Sequence, residues 1–473
     1  MRQGNYAGSQ SVWINPANMF QSKVFFDVQL GALSTFVQNN FAYIPANDFR
    51  SYQLLNEDVT LPVYEPSNNN FLYRTGEKSR FGATNIHLGG PSALFIDGDH
   101  AFALNTSVRS YASTNALPYE VPVFGVEGLN YPPLYNIRFT NSNIQVGSMV
   151  WVEAGLSYAY TFYKAYRDHW AAGITVKGLM AYGGGFLNLE QADYVVLNDS
   201  TINILHVKGF AGMALPVDYD NNDFPASGSF FKGAGIGFDF GITFTRTQLG
   251  IQRHNPVRVC EQPFTDYEFR IGVSLIDLGS VNFTNEAQLH YYEGSRFWES
   301  ADTLGFTNIN NMARELSAVL HEGDPDASYA DDNFRIGLPT ALSIQFDYNF
   351  MPDWYINATL IQPVKLLENT ITRPAQLTFS PRYESDWFDF GIPIGLYEYR
   401  IPRVGVFARI GYFTIGTDRL GTLFGISDMD GVDIYASLKF NLRRGICIGG
   451  RESGACARDD QYRKAMKRGF LWW

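Results

Sequence analysis

The chain has 473 residues, 45% hydrophobic and 18% charged, with 28 Tyr, 37 Phe and a net charge of −11. That negative balance argues against nucleic-acid partners, which reward basic surfaces. A transmembrane helix is also excluded: no run of about 18 apolar residues occurs, and mean hydropathy is −0.15.

The opening "MRQGNYAG" lacks a basic n-region and an apolar h-region. The numbering of an exported chain is therefore expected to begin at or near the mature N-terminus. Within 1–22, Asn15 before Pro16 signals a turn or a helix start, with proline suited to the first helical position. Tyr6, Trp13, Ile14, Met19 and Phe20 are mixed with small polar residues. Such a segment could wedge inside a wide barrel as a plug, or lie outside it as an ordered arm.

From residue 23 to 442 the pattern is period two. The stretch "GAGIGFDFGITFTR" (233–246) tests it. Its glycines resemble a phosphate loop, but they recur at every second residue without a following helix. Ala234, Ile236, Phe238, Phe240, Ile242 and Phe244 fall on one face, and small or polar residues fall on the other. A soluble strand usually has about five or six residues, whereas a transmembrane strand needs about nine to eleven. Similar alternation occupies 24–36, 150–164, 170–180, 267–275, 335–350, 354–362, 375–383, 402–415 and 432–442, with weaker candidates at 80–89, 98–108, 185–196, 201–213 and 388–396. The count is roughly 14 to 16 strands. The fold class expected is all-β, an integral outer-membrane antiparallel β-barrel whose aromatics suit an interfacial girdle.

The face expected to line the lumen carries Asp27, Glu153, Lys177, Asp239, Glu268, Arg270, Arg335, Asp347, Arg382, Arg403, Arg409 and Lys439. Mixed signs favour cross-strand pairing that fills the lumen over an ion-selective ring. Stretches near 38–78, 109–148, 214–229 and 293–332 read as extracellular loops, with helical pattern in "NINNMARELSAVLHEG".

Two acidic runs carry candidate calcium ligands: Asp218, Asp220 and Asp223, then Asp428, Asp430 and Asp433. Oxygen ligands clustered in a turn suit calcium, although neither run has the full EF-hand pattern, and solvated turns are the commoner use. No other cofactor is expected. The seven histidines show no metal spacing, and neither G-x-S-x-G nor a P-loop occurs, so no enzyme is expected.

Residues 443–473 continue past the last strand as a basic tail with eight Lys/Arg against three Asp/Glu. Arg463, Lys464, Lys467, Arg468, Trp472 and Trp473 make it either a partner-binding tail for acidic proteins, peptidoglycan or lipid headgroups, or a solvated terminus. Cys447 and Cys456 are expected to form a disulfide in an oxidising periplasm. Cys260 is then left as a free thiol; the alternative pairs it with one tail cysteine.

"GNYAGSQSVWINPANM" (4–19), "GLSYAYTFYKAYRDHWAAGITVKGLMAYGG" (155–184) and "GAGIGFDFGITF" together resemble a Bacteroidota family of outer-membrane barrels of unassigned function. That family is similar to the FadL-type superfamily of long-chain fatty-acid transporters and type IX secretion barrel subunits. The resemblance implies 14 strands and an N-terminal lumen plug, here carrying Asn15, Pro16 and Ala17. The division expected is a plug over 1–22, a barrel over 23–442 and a periplasmic tail over 443–473, with both termini periplasmic. The function expected is a non-enzymatic scaffold or accessory subunit of an envelope machine for secretion, gliding or outer-membrane protein assembly. Its partners would be membrane lipid and other envelope proteins. The alternative is a FadL-like passive channel for hydrophobic small molecules.

Overall fold

The computed structural model describes residues 2–442, apart from 24–25, 47, 56–63, 66–67, 70–71, 226–227, 249–265, 304–306 and 386. Strand segments that follow one another along a single wall position are counted here as one strand. In chain order these are β1 (Phe26–Asn39), β2 (Arg80–Gly89 and Ser92–Asp97), β3 (His100–Leu117), β4 (Arg138–Ala165) and β5 (Asp168–Val196). Next come β6 (Ile202–Ala214 and Gly233–Thr247), β7 (Tyr267–Phe283 and Gln288–Trp298), β8 (Tyr329–Asp331, Phe334–Gly337 and Ala341–Met351) and β9 (Trp354–Pro363). The wall finishes with β10 (Gln376–Glu384), β11 (Phe388–Gly391 and Ile394–Tyr397), β12 (Ile401–Val404 and Val406–Ile410), β13 (Phe413–Thr417) and β14 (Gly431–Leu442). Each pairs antiparallel with the next, and β14 returns to β1 from Phe26↔Leu442 to Gln38↔Gly431. The result is a closed 14-strand antiparallel barrel.

Closure follows from what the two faces need. Along β4, Leu156 is 68% exposed while Glu153 and Ser157 are buried. Ile236, Val176, Phe346 and Phe379 are likewise exposed on the outside of their strands. Water would penalise such a continuous apolar wall, whereas a hydrocarbon core matches it. Among the described residues no helix is long and apolar enough to cross a membrane. Aromatic side chains, including Tyr163, Trp170, Phe350, Trp354 and Trp387, lie on or beside the turns at the end of the barrel that holds residues 26 and 442. That placement matches an interfacial girdle.

The two ends differ. Three of the turns at the end with residues 26 and 442 are tight, at 98–99, 166–167 and 352–353. The opposite end carries long connections, with helix α1 (Glu120–Glu127) between β3 and β4 and helix α2 (Ile309–Leu320) between β7 and β8. β4 and β5 contain 28 and 29 residues. At about 3.3 Å per residue, even steeply tilted, such strands exceed the roughly 30 Å hydrocarbon thickness about twofold. A tall wall of β3–β7 therefore stands beyond the apolar band on that end.

Several expected boundaries move. The stretches 170–180 and 185–196 are one strand, β5, because a bulge between Ala181 and Gly183 absorbs the lost alternation. Much of 109–148 is strand, leaving a connection at 118–137. Residues 215–232 are not an end loop. Their described part, 215–225 and 228–232, leaves the wall between the two halves of β6, and Phe230 meets Tyr182 at 4.9 Å beside exposed Met180 on the outer face.

Two assignments to the wall faces also change. Arg335 is exposed, while Ile336 and Leu338 are buried on the lumen side. Pro339 interrupts β8, and alternation restarts at Ala341 in the opposite phase. Glu268 is half-exposed and pairs with Arg167 at 2.5 Å. A register shift between Arg246 and Thr247 skips it, so Tyr267 turns inward instead.

Candidate functional site in the lumen

Residues 2–22 fill one end of the lumen. Two short 3₁₀ segments, Gly8–Trp13 and Pro16–Gln21, fold back on each other, and most of their side chains are buried. Asn15 caps the second: its Oδ1 accepts from Ala17 N at 2.9 Å, and Pro16 takes the first position.

The contacts of this segment fix its place. Ser9 N and Oγ donate to Asp27 Oδ1 on β1 at 2.8 and 2.6 Å. Asn15 Nδ2 donates to Ile242 O on β6 at 3.3 Å and to Gln345 Oε1 on β8 at 2.9 Å. Ser274 Oγ on β7 donates to Ile14 O, Asn5 Nδ2 donates to Glu384 Oε2 on β10 at 2.6 Å, and Lys439 on β14 reaches Tyr6 O. Only a segment inside the cylinder can reach strands on all sides of it.

Asn15, Pro16 and Ala17 rest on a floor of two paired glycines. A Cβ on Gly173 of β5 would stand 2.6 Å from Pro16 C and 2.7 Å from Ala17 N. One on Gly241 of β6, the direct partner of Gly173, would strike the Asn15 amide. The glycine pattern at 233–241 thus serves close approach of this segment at Gly241.

Above that floor lies a buried ladder of charges. Arg109 on β3 forks onto Asp277 on β7 at 2.9 and 3.0 Å and reaches Glu153 on β4 at 3.3 Å. Lys177 on β5 bridges Asp277 at 2.7 Å and Asp239 on β6 at 2.8 Å. Arg373, from the connection between β9 and β10, adds a contact to Asp277 at 2.6 Å. Three cations meet three carboxylates, so this buried layer is neutral and closely hydrogen-bonded. It fixes register and leaves none of its six charges uncompensated.

A second layer gathers Arg270, Arg382, Asp347 and Glu384. Arg270 and Arg382 both reach Asp347 Oδ2, at 2.6 and 2.7 Å. Between the first layer and the open end, Trp151, Met149, Phe186, Phe283, Phe334 and Ile371 pack as an apolar stratum. A cavity of about 290 Å³ remains, lined in part by Arg2, Trp13, His87, Tyr111, Asp433 and Tyr435. It reaches the wall where β11 and β12 are interrupted and β13 ends, because Pro393 and Asp418 also line it. There, a Cβ on Gly405 would meet Asp418 Cα at 2.6 Å and Pro393 Cγ at 2.9 Å.

Residues 16–418 match the model described as "Family of unknown function (DUF5723)". The chain belongs to that family. No curated protein is detectably similar in sequence to this DUF5723 barrel. Among solved structures, it is similar to the "TodX deltaS2S3 mutant monoaromatic hydrocarbon channel", with a TM-score of 0.43, 9% identity, and coverage of 93% of this chain and 95% of that one. The Ralstonia pickettii toluene transporter TbuX gives a TM-score of 0.37 at 10% identity, over 93% and 94% of the two chains. A Pseudomonas aeruginosa FadL homologue gives 0.31 at 9% identity, over 93% and 96%.

The expected calcium ligands of this DUF5723 chain do not converge, and no group of three metal-binding side chains forms among the described residues. Asp218 Oδ1 accepts from Asp220 N at 2.9 Å and Asn221 N at 3.1 Å, closing its own turn. Asp220 accepts from Asn310 Nδ2 at 2.7 Å, and the main-chain carbonyl of Asp223 accepts from Asp218 N at 2.9 Å, closing the same turn. Asp428 accepts from Ala46 N, Asp430 pairs with Arg419 at 2.5 Å, and Asp433 faces the cavity instead. Cys260, Cys447, Cys456 and the tail residues Arg463, Lys464, Lys467, Arg468, Trp472 and Trp473 lie outside the described residues.

Sequence reasoning did not single out Arg109, Asp277 or Arg373. Asp277 has φ +55° and sits where the β6–β7 register shifts between Phe238 and Phe240. The bulge turns its carboxylate inward against the alternation. The available signal was a lone acid in the apolar run "SLIDLG".

Proposed function

We propose that this protein is a non-enzymatic outer-membrane barrel, held closed by its own N-terminal segment, that serves as a scaffold or accessory subunit of an envelope assembly. One observation carries the reading: residues 2–22 are bonded to strands all around the wall, on a floor shaped for them. An aqueous pore has no use for a lumen so filled. The tight turns at that end support a periplasmic side for residues 26 and 442, by the usual rule for such barrels, and an outward-facing tall wall. Membrane lipid and other envelope proteins are its proposed partners, and the basic 443–473 tail is a proposed docking segment.

The test combines conductance with recovery of partners. In planar bilayers the full chain is expected to stay closed, and a chain lacking residues 2–22 to conduct. A gentle-detergent pull-down, repeated without residues 443–473, is expected to recover defined envelope proteins that depend on the tail. Recovery of the barrel alone, with bound lipid or fatty acid, would overturn the scaffold reading.

A second reading, passive uptake of hydrophobic small molecules, is favoured by the cavity that reaches the wall at Pro393, Gly405 and Asp418. Against it stands the lining of Arg2, Arg109, Asp277 and Asp433, which an apolar solute would have to desolvate.

A further inference from the structure

The tall wall ends in a ladder that is left incomplete. The upper segment of β7, Gln288–Trp298, pairs on one side with β6 along its length, from Met213↔Gln288 to Ile202↔Trp298. On its other side β8 accompanies it only at Leu289 and His290, and Tyr291 N then donates to Ser328 O at 2.7 Å. Beyond that point the chain leading into β8 turns away to α2, where Ser328 N meets Ser317 Oγ at 3.0 Å. Strand amides alternate sides. Glu293, Ser295 and Phe297 therefore point their N–H and C=O groups the same way as Tyr291, and among the described residues nothing receives them.

These edge residues are exposed, Phe297 by 53%. Leu289 and Phe210, the partner of Tyr291, pack on the lumen-side apolar stratum, so odd-numbered residues of this segment face the concave side. The opposite face is covered at Gly294, where a Cβ would meet Leu320 O of α2 at 2.5 Å. The descending chain after β7 leaves over the β6 side, where Ala301 N donates to Ser200 O at 2.8 Å. Among the described residues nothing covers the edge itself.

We propose that this edge, Glu293–Phe297, receives an extended segment of another protein as an added antiparallel strand, filling the place of the absent upper part of β8. An open row of main-chain donors and acceptors is the standard template for strand addition. The occupant is not the same edge of a second copy of this chain. Two identical edges pair antiparallel only about an axis perpendicular to the sheet, which would set one barrel upside down in the membrane. The exposed side chains define the segment. Arg296 calls for an acidic residue on the outer face and Phe297 for an apolar one on the concave face, while Glu293, which accepts from Tyr291 Oη and lies opposite Lys208, suits a polar or basic neighbour there. The proposal rests on the scaffold reading and specifies how one partner is held.

Hydrogen exchange of peptides covering 291–298 tests it, comparing native membranes with the purified barrel in detergent. Exchange in native membranes is expected to be at least about tenfold slower. The Ser295→Pro variant removes an edge-facing N–H and keeps the bonds to β6, so the protection should vanish while heat-modifiable migration stays normal. Phe297→Ala, which leaves the main chain intact, should reduce the protection in part. Equal exchange in the two settings overturns the proposal, as does protection that survives Ser295→Pro. If envelope proteins still co-purify while the edge exchanges alike, the strand addition fails and the scaffold stands. If the barrel is recovered alone, the scaffold reading itself fails.

Discussion

Replacing Gly173 by alanine is the sharpest test of how the N-terminal segment is seated. The new Cβ would lie 2.6 Å from Pro16 C, 2.7 Å from Ala17 N and 2.9 Å from Pro16 O. All three are main-chain atoms, and none can rotate away as a flexible side chain could. Carbon contacts settle near 3.5–4.0 Å, so the segment must lift by roughly 1 Å. Overpacking of this kind costs about 1–3 kcal/mol. Relief of glycine's conformational entropy in a strand returns about 0.5–1 kcal/mol. Lifting also strains the bonds from Asn15 to Gln345 and from Ser274 to Ile14, each worth about 1 kcal/mol. The clash wins, with a net loss of about 1–3 kcal/mol concentrated on residues 2–22.

Gly178 on the same strand supplies the control, because a Cβ there meets nothing within 4 Å. Gly173→Ala should make the N-terminal segment more sensitive to proteolysis in detergent and raise the frequency of conducting events in bilayers. Gly178→Ala should match the parent or be slightly more stable. Identical behaviour of the two variants would refute the reasoning that Gly173 is kept bare for Pro16 and Ala17.

Asp277→Asn leaves Arg109, Lys177 and Arg373 short of a carboxylate, and should cost about 3–5 kcal/mol in thermal unfolding of the detergent-solubilised barrel. Adding Arg373→Gln should restore part of it; a loss under about 1 kcal/mol would show the layer to be hydrated instead. Leu156→Arg, on the exposed outer wall, should impair folding into lipid vesicles by about 2–4 kcal/mol if that position lies at mid-bilayer. An unchanged yield would argue against a lipid-facing band. Burial pushes the Tyr219 hydroxyl up to about 12, where it accepts from Leu215 N and donates to Glu286 O. Because the folded value is raised, its contribution to holding the 215–232 excursion is complete below pH 10 and is lost as pH rises toward 12. Spectroscopic titration should find a late-ionising tyrosine that Tyr219→Phe removes.

The strands were legible where the period of two ran unbroken, as in 233–246 and 150–164, because lipid and lumen demand opposite chemistry on adjacent residues. Legibility failed at bulges and prolines. The Ala181–Gly183 bulge split one strand into two, the phase change at Pro339 put Arg335 on the outer face, and the register shift at Glu268 turned that residue out of the lumen. Asn15, Pro16 and Ala17 were visible as a helix start, but the paired Gly173 and Gly241 beneath them belong to distant strands, and their pairing is a tertiary fact. The acidic runs misled for a related reason. A cluster of carboxylates looks alike in sequence whether it surrounds an ion or, as with Asp218, closes its own turn.

The seam between β1 and β14 joins residues from opposite ends of the described chain, and residues 2–22 lie inside the cylinder that this seam closes. Once the seam is zipped, that segment could reach its seat only through an end of the tube or an opened wall. Assembly therefore has two routes: the interior is furnished before the first and last strands join around it, or the segment enters afterwards through the end of the tube that it fills. A contact between chain ends is also the slowest to find. On the first route, whatever inserts this barrel must hold an open sheet, already folded around its own N-terminus, until the final pairing is made.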